Sequence, residues 1–203
     1  SRLWSACFRS HAASGTRPRE RDDQVRPDLP RFSVLYADPP WRFGDTLPGP
    51  KRGAAKHYAT MSVAELKRFR LPPLADDCWL FIWRVAAMQR AALEVIEAWG
   101  FGAPKAEIVW VKTTKAGTPH TGMGRSVRNS HEVCLVAKRG KPERVSASER
   151  SVVLAPRQEH SLKPDEVVEL IERLTVGPRL ELFARRARPG WYAHGNELVE
   201  VTP

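Results

Sequence analysis

The chain is poor in cysteine and tyrosine, with three of each among 203 residues. Cys7, Cys78 and Cys134 are widely spaced, odd in number and form no Cys-x-x-Cys pair. That excludes a disulfide framework and a thiolate metal site. A reducing compartment, the cytoplasm, is the expected setting. No stretch approaches the roughly 18 consecutive apolar residues that a membrane-spanning helix needs. The opening SRLWSACFRSHAASG has two arginines but no continuous apolar run, so it does not read as a secretory signal. Zinc spacings, a phosphate-binding Gly-rich loop and a hydrolase triad all lack their sequence requirements, and no metal site is expected. Acidic residues are in deficit. There are 23 Asp and Glu against 33 Lys and Arg, which gives a net charge of +10.

Apolar residues make up 42% of the chain, enough for one compact core. The excess charge is uneven. Residues 1–32 carry seven Arg and four acids, and 105–150 carry ten basic residues and four acidic ones, a net of +6. The first 31 residues show no apolar period and hold Pro18, Pro27 and Pro30. They read as a flexible basic extension ahead of a domain over 32–203. A basic surface of this size admits a polyanion such as nucleic acid.

Apolar runs at 32–37, 78–83, 108–111, 131–137, 152–155 and 180–184 predict strands. Between them, Val85, Met88, Ala92, Val95, Ile96 and Trp99 recur at helical spacing, as do Val167, Val168, Leu170, Ile171 and Leu174 after Pro164. Ser62 with Glu65 predicts a capping box and a short helix. Alternating strands and helices imply an α/β sheet with helices on both faces. In such sheets ligands sit beyond the carboxyl ends of the strands. Trp79, Trp83, Trp99 and Trp110 fall in these patterns and read as core.

One strand end is chemically loaded. FSVLYA stops at Asp38, Pro39, Pro40 and Trp41. A carboxylate and a proline carbonyl on one tight turn supply two acceptors, which suit an amino group with two N–H donors. An adjacent indole offers a stacking plate for a flat ring. The exocyclic amino group of a nucleobase fits. Two acceptors would favour its pyramidalisation and stabilise the positive charge that develops as the nitrogen attacks an electrophile. Given a sulfonium methyl group, the protein's task is mainly alignment.

Five blocks then occur in one order: YADPPW, HYATM (57–61), GMGRSVRNSHE (122–132), HSLKPDEVVELIERL (160–174) and LELFARRARPGWYAHGNEL (180–198). Together they resemble the Asp-Pro-Pro-Trp, or MT-A-seventy-like, family of N(6)-adenine methyltransferases, and its bacterial and phage members in particular. The resemblance implies a Rossmann-like, S-adenosylmethionine-dependent fold with permuted motif order. It implies that Asp38 and Pro39 hold the target amino group, Pro40 shapes the turn and Trp41 packs by the base. It also implies that Asp38 and Lys163 meet the amino-acid end of the cofactor, and that Arg185, Asn196 and Glu197 meet its ribose.

Other residues carry open alternatives. His57 and Tyr58 either close over the substrate or anchor the 42–56 loop. Arg125 and Arg128, with Lys112 and Lys115, either track phosphates or form a solvated loop. His131 and Glu132 either act in catalysis or support the fold. The expected function is transfer of a methyl group to the 6-amino group of adenine in nucleic acid, DNA ahead of RNA. The chain would act as a monomer or as a dimer with a homologous subunit. The alternatives are a catalytically silent nucleic-acid-binding subunit and an enzyme for free nucleobases or other small amines.

Overall fold

The computed structural model describes residues 29–42, 60–122, 126–158 and 162–195. Among these, seven strands form one sheet: β1 (Phe32–Ala37), β2 (Leu74–Arg84), β3 (Ala106–Thr113), β4 (His131–Arg139), β5 (Val152–Pro156), β6 (Arg179–Leu182) and β7 (Trp191–His194). Their order is β5-β3-β4-β2-β1-β6-β7. Three helices accompany them: α1 (Val63–Lys67), α2 (Gln89–Ala98) and α3 (Asp165–Leu174). Residues 1–28 of the expected extension lie outside the described residues. Among the described residues no helix is long and apolar enough to cross a membrane.

The central strands are apolar on both faces because both faces are covered. Leu35, Ala37, Leu80, Ile82, Val133 and Leu135 face one side and pack with Leu66 of α1 and Ala92, Val95 and Ile96 of α2. Val34, Tyr36, Phe81, Trp83, Cys134 and Val136 face the other side, with Val167, Val168, Leu170 and Ile171 of α3. The α/β sheet with helices on both faces is therefore the one the sequence predicts. The helix expected over 85–99 opens as a 3-10 turn at Ala86–Met88 before α2. Ser62 and Glu65 form the predicted capping box. The seventh strand, WYAH, was not predicted, since four residues after a Pro-Gly pair carry too little pattern.

Every neighbouring pair of strands is parallel except the two that involve β4. That reversal decides what can meet what. The carboxyl ends of the other six strands lie along one edge, and β4 brings its amino end, His131 and Glu132, to the same edge. The tryptophans lock this frame across long sequence separations. Trp99 donates to Leu66 O (2.8 Å), Trp110 to Ala155 O (2.9 Å) and Trp83 to the Tyr36 hydroxyl (2.7 Å).

Gly195 marks a close approach just beyond β6 and β7. A Cβ built there would lie 2.0 Å from the Ala184 carbonyl oxygen and 2.8 Å from its amide nitrogen. Backbone atoms cannot rotate away as a side chain can. Gly195→Ala is expected to destabilise the fold by about 1–3 kcal/mol, read as a lower urea midpoint. An unchanged midpoint would contradict the close approach.

Candidate active site at the carboxyl edge of the sheet

The turn after β1 is fixed at three points. The Trp41 amide donates to Pro39 O (2.8 Å), the Met61 amide to Pro40 O (2.8 Å), and the Arg42 amide to Met61 O (2.9 Å). The prolines have no amide hydrogen, so they cannot continue the ladder of β1 and the chain turns out of the sheet. Pro39 O already accepts one bond. A carbonyl has two lone pairs, so one remains for a substrate donor.

Trp41, expected to pack by the base, is 5% exposed and packs in the core. Its indole Nε1 donates to Trp83 O at 3.0 Å. In this structure the indole braces the turn from beneath and presents no stacking face to solvent. Burial is the preferred state of an indole whose N–H finds a partner, and that partner, on β2, was not legible in a tetrapeptide.

Asp38 meets Lys163, which lies 125 residues away in sequence. Lys163 Nζ donates to Asp38 Oδ2 at 2.8 Å and stands 3.3 Å from Glu132 Oε2. The other Glu132 oxygen, Oε1, lies 2.5 Å from Lys112 Nζ. Each lysine also sits over an indole: Lys163 5.3 Å from the Trp83 ring, and Lys112 5.2 Å from that of Trp110. Three strand ends and the residues just before α3 thus assemble an alternating row of charges, Lys112, Glu132, Lys163 and Asp38.

The side chains of Lys163 and Asp38 are only 11% and 19% exposed, so the row is poorly screened by water. Burial alone would lower the Lys163 pKa, but Asp38 and Glu132 outweigh it and hold the ammonium above its ordinary range. Burial would raise the pKa of Glu132, and the two lysines outweigh that and hold it low. Lys163 and Glu132 are therefore ionised at neutral pH. The sequence left Glu132 between a catalytic and a supporting role, and Lys112 between a phosphate contact and a solvated loop. Their meeting depends on the antiparallel course of β4.

A small pocket opens beside this row. Asp38, Leu162, Lys163 and Phe183 line it, with Glu181, Arg185, Arg186 and Arg188. Phe183 has φ 61°, a strained backbone for a bulky residue. Arg188 donates to Glu181 Oε2 at 3.0 Å and also pairs with Asp165, which Arg186 shares. Burial keeps the Glu181 carboxyl above its ordinary range, and Arg188 only partly offsets this. A wider cleft lies at the opposite edge, lined by Arg31, Leu71, Pro72, Leu74, Asp76 and Arg139. Its Arg31–Asp76 pair, at 4.0 Å, has both side chains in solvent. The converging buried charges favour the carboxyl edge as the active site.

The MT-A70 family profile matches residues 32–197. The chain belongs to the MT-A70 family. Members of this family are S-adenosylmethionine-dependent methyltransferases. The chain is 35% identical over 176 residues to the N(6)-adenosine-methyltransferase catalytic subunit METTL3 of Homo sapiens, covering 84% of this chain and 29% of that protein. It is 36% identical over 178 residues to the N(6)-adenosine-methyltransferase MT-A70-like of Arabidopsis thaliana, covering 85% and 24%. It is 31% identical over 200 residues to the type II methyltransferase M.MunI of Mycoplasma sp, covering 88% and 83%. The chain thus spans under a third of the length of the first two relatives and most of the third.

The charges that line the pocket are complementary to one end of the cofactor. The amino-acid end of S-adenosylmethionine carries a carboxylate and an ammonium. The pocket offers an ammonium in Lys163 and a carboxylate in Asp38. The buried Arg186 Nε has no hydrogen-bond partner among the described residues. Arg185 lines the same pocket. Of the other expected site residues, Arg128 is exposed on the loop before β4. His57, Tyr58, Arg125, Asn196 and Glu197 lie outside the described residues. No cluster that could hold a metal ion occurs among the described residues. Cys78 and Cys134 are buried, and burial pushes the Cys78 thiol up to about 12, so neither offers a nucleophilic thiolate.

The two roles of Trp41 separate by experiment. Trp41→Phe keeps an aromatic plane and loses the N–H to Trp83. It is expected to destabilise the fold by about 1–2 kcal/mol in urea unfolding. Unchanged stability would return Trp41 to the role of a stacking plate.

Proposed function

We propose that this protein transfers a methyl group from S-adenosylmethionine to the 6-amino nitrogen of adenine in nucleic acid. The observation that carries this reading is the Asp38 carboxylate at the head of the Asp-Pro-Pro-Trp turn, held at 2.8 Å by a buried lysine beside a pocket of both charges. When bound, the cofactor would supply the electrophilic methyl group and would leave as the neutral thioether, which keeps the electron pair of the broken sulfur–carbon bond. The protein's residues supply position and charge. Asp38 and the remaining lone pair of Pro39 O accept the two amino hydrogens, which pyramidalises the nitrogen and turns its lone pair toward the methyl carbon. Positive charge grows on that nitrogen as the bond forms, and the fixed carboxylate stabilises it without reorganisation. Asp38 then takes the surplus proton and passes it to solvent.

DNA is the favoured polymer, because the match to the type II methyltransferase runs through most of that protein. A target inside a duplex must leave the stack, at a cost of a few kcal/mol. RNA is the second reading, supported by relatives named for adenosine at 35% and 36% identity. Retention of Asp38 and Lys163 argues against a silent subunit. The basic segment at 105–150 argues against a free small amine as substrate. Residues 1–31 are proposed as an extension outside the catalytic domain, and the cytoplasm as the setting.

The test is labelled methyl transfer to single-stranded DNA, duplex DNA and RNA in parallel, with nucleoside analysis. N(6)-methylated adenine is expected in DNA, and Asp38→Ala should lower turnover about 100- to 1000-fold. Label on RNA alone would select the second reading. Near-normal turnover by Asp38→Ala would overturn the mechanism.

A further inference from the structure

Lys112 lies at the carboxyl end of β3, where the basic loop 112–130 begins. Its neighbours in that loop, Lys115 and Arg128, are exposed, as residues that meet a phosphate backbone must be. The Lys112 side chain is only 18% exposed. It is held from two sides, by Glu132 Oε1 at 2.5 Å and by the Trp110 ring at 5.2 Å. The Trp110 indole is itself tied to Ala155 O, so the base under Lys112 is rigid.

Glu132 faces both lysines with different oxygens. With Lys112 present, Glu132 is already neutralised on one side, and Lys163 remains close to Asp38. Without Lys112, Glu132 would be a half-buried carboxylate whose one remaining cation is Lys163. A buried charge that loses a partner draws on whatever partner is left. Lys163 would move toward Glu132, and the Asp38 carboxylate would lose the contact that sets its position.

We propose that Lys112 is a positioning residue of the methyl-transfer site, which keeps Lys163 on Asp38 by taking up one oxygen of Glu132, and is not a phosphate contact. This deepens the function proposed above and rests on it. The effect falls on the alignment of Asp38, where a displacement of about 1 Å can cost about 100-fold in rate.

Lys112→Met, Lys112→Arg, Glu132→Gln and the double variant Lys112→Met/Glu132→Gln test this through two independent readouts. The first is nucleic-acid binding against salt, measured without cofactor. Lys112→Met is expected to keep the wild-type slope of log K on log salt. A slope shallower by about 0.7–0.9 would mark a lost phosphate contact and overturn the proposal. The second is steady-state turnover at saturating cofactor and polymer. Lys112→Met should lower kcat about 10- to 100-fold with an unchanged KM for the polymer, and Lys112→Arg should recover much of it. The double variant should be little worse than the more impaired single variant, because both changes break one unit. Additive losses, a higher KM in place of a lower kcat, or an arginine no better than methionine would overturn the proposal. If the wild-type protein transfers no methyl group to any polymer, the proposed function fails and the salt slope alone decides the place of Lys112.

Discussion

The contact on which the rest of the site depends is the ion pair between Asp38 and Lys163. It joins the turn after β1 to the residues that lead into α3, across 125 positions of sequence. A carboxylate as poorly exposed as Asp38 needs a partner of opposite charge, because a buried unpaired charge is costly. Lys163 supplies that partner and donates to it. The same pair offers complementary charges to a zwitterionic amino acid. Substrate amine and cofactor can therefore be aligned by one small group of side chains.

The fold explains why that pair can form and why it is not alone. A wholly parallel sheet would send the amino ends of its strands to the far edge. Reversing only β4 returns Glu132 to the edge where Asp38, Lys112 and Lys163 already lie. Of the strands that carry these ends, β1 and β4 are buried on both faces, and indole N–H groups tie the sheet and the turn to distant carbonyls and one hydroxyl. The frame is apolar and rigid, and the polar residues it presents are few and fixed. Such a division suits chemistry that asks for alignment and electrostatic stabilisation and needs no metal or covalent intermediate from the protein.

Much of this was legible beforehand, for identifiable reasons. Strands buried on both faces leave unbroken apolar runs, so β1, β2 and β4 stood out. The helical period of α3 was plain, and Ser62 with Glu65 announced α1. Asp38 and Lys163 were singled out, one by its turn chemistry and the other by resemblance. What escaped was what depends on pairing. The seventh strand is four residues long and is defined by its ladder with β6. The burial of Trp41 is decided by a carbonyl on β2. The place of Lys112 and Glu132 is decided by strand direction, which a hydrophobic pattern does not encode. Lys112 reads as one more cation of a basic loop until the antiparallel course of β4 sets a carboxylate against it.

The central claim is that the buried charges at the carboxyl edge, and not the wider cleft at the amino edge, receive the cofactor. Heteronuclear NMR of the protein titrated with S-adenosylhomocysteine tests it most directly. The account predicts saturable shifts of Asp38, Lys163 and Phe183, with Arg31, Asp76 and Arg139 unmoved. Shifts confined to Arg31, Asp76 and Arg139 would contradict it.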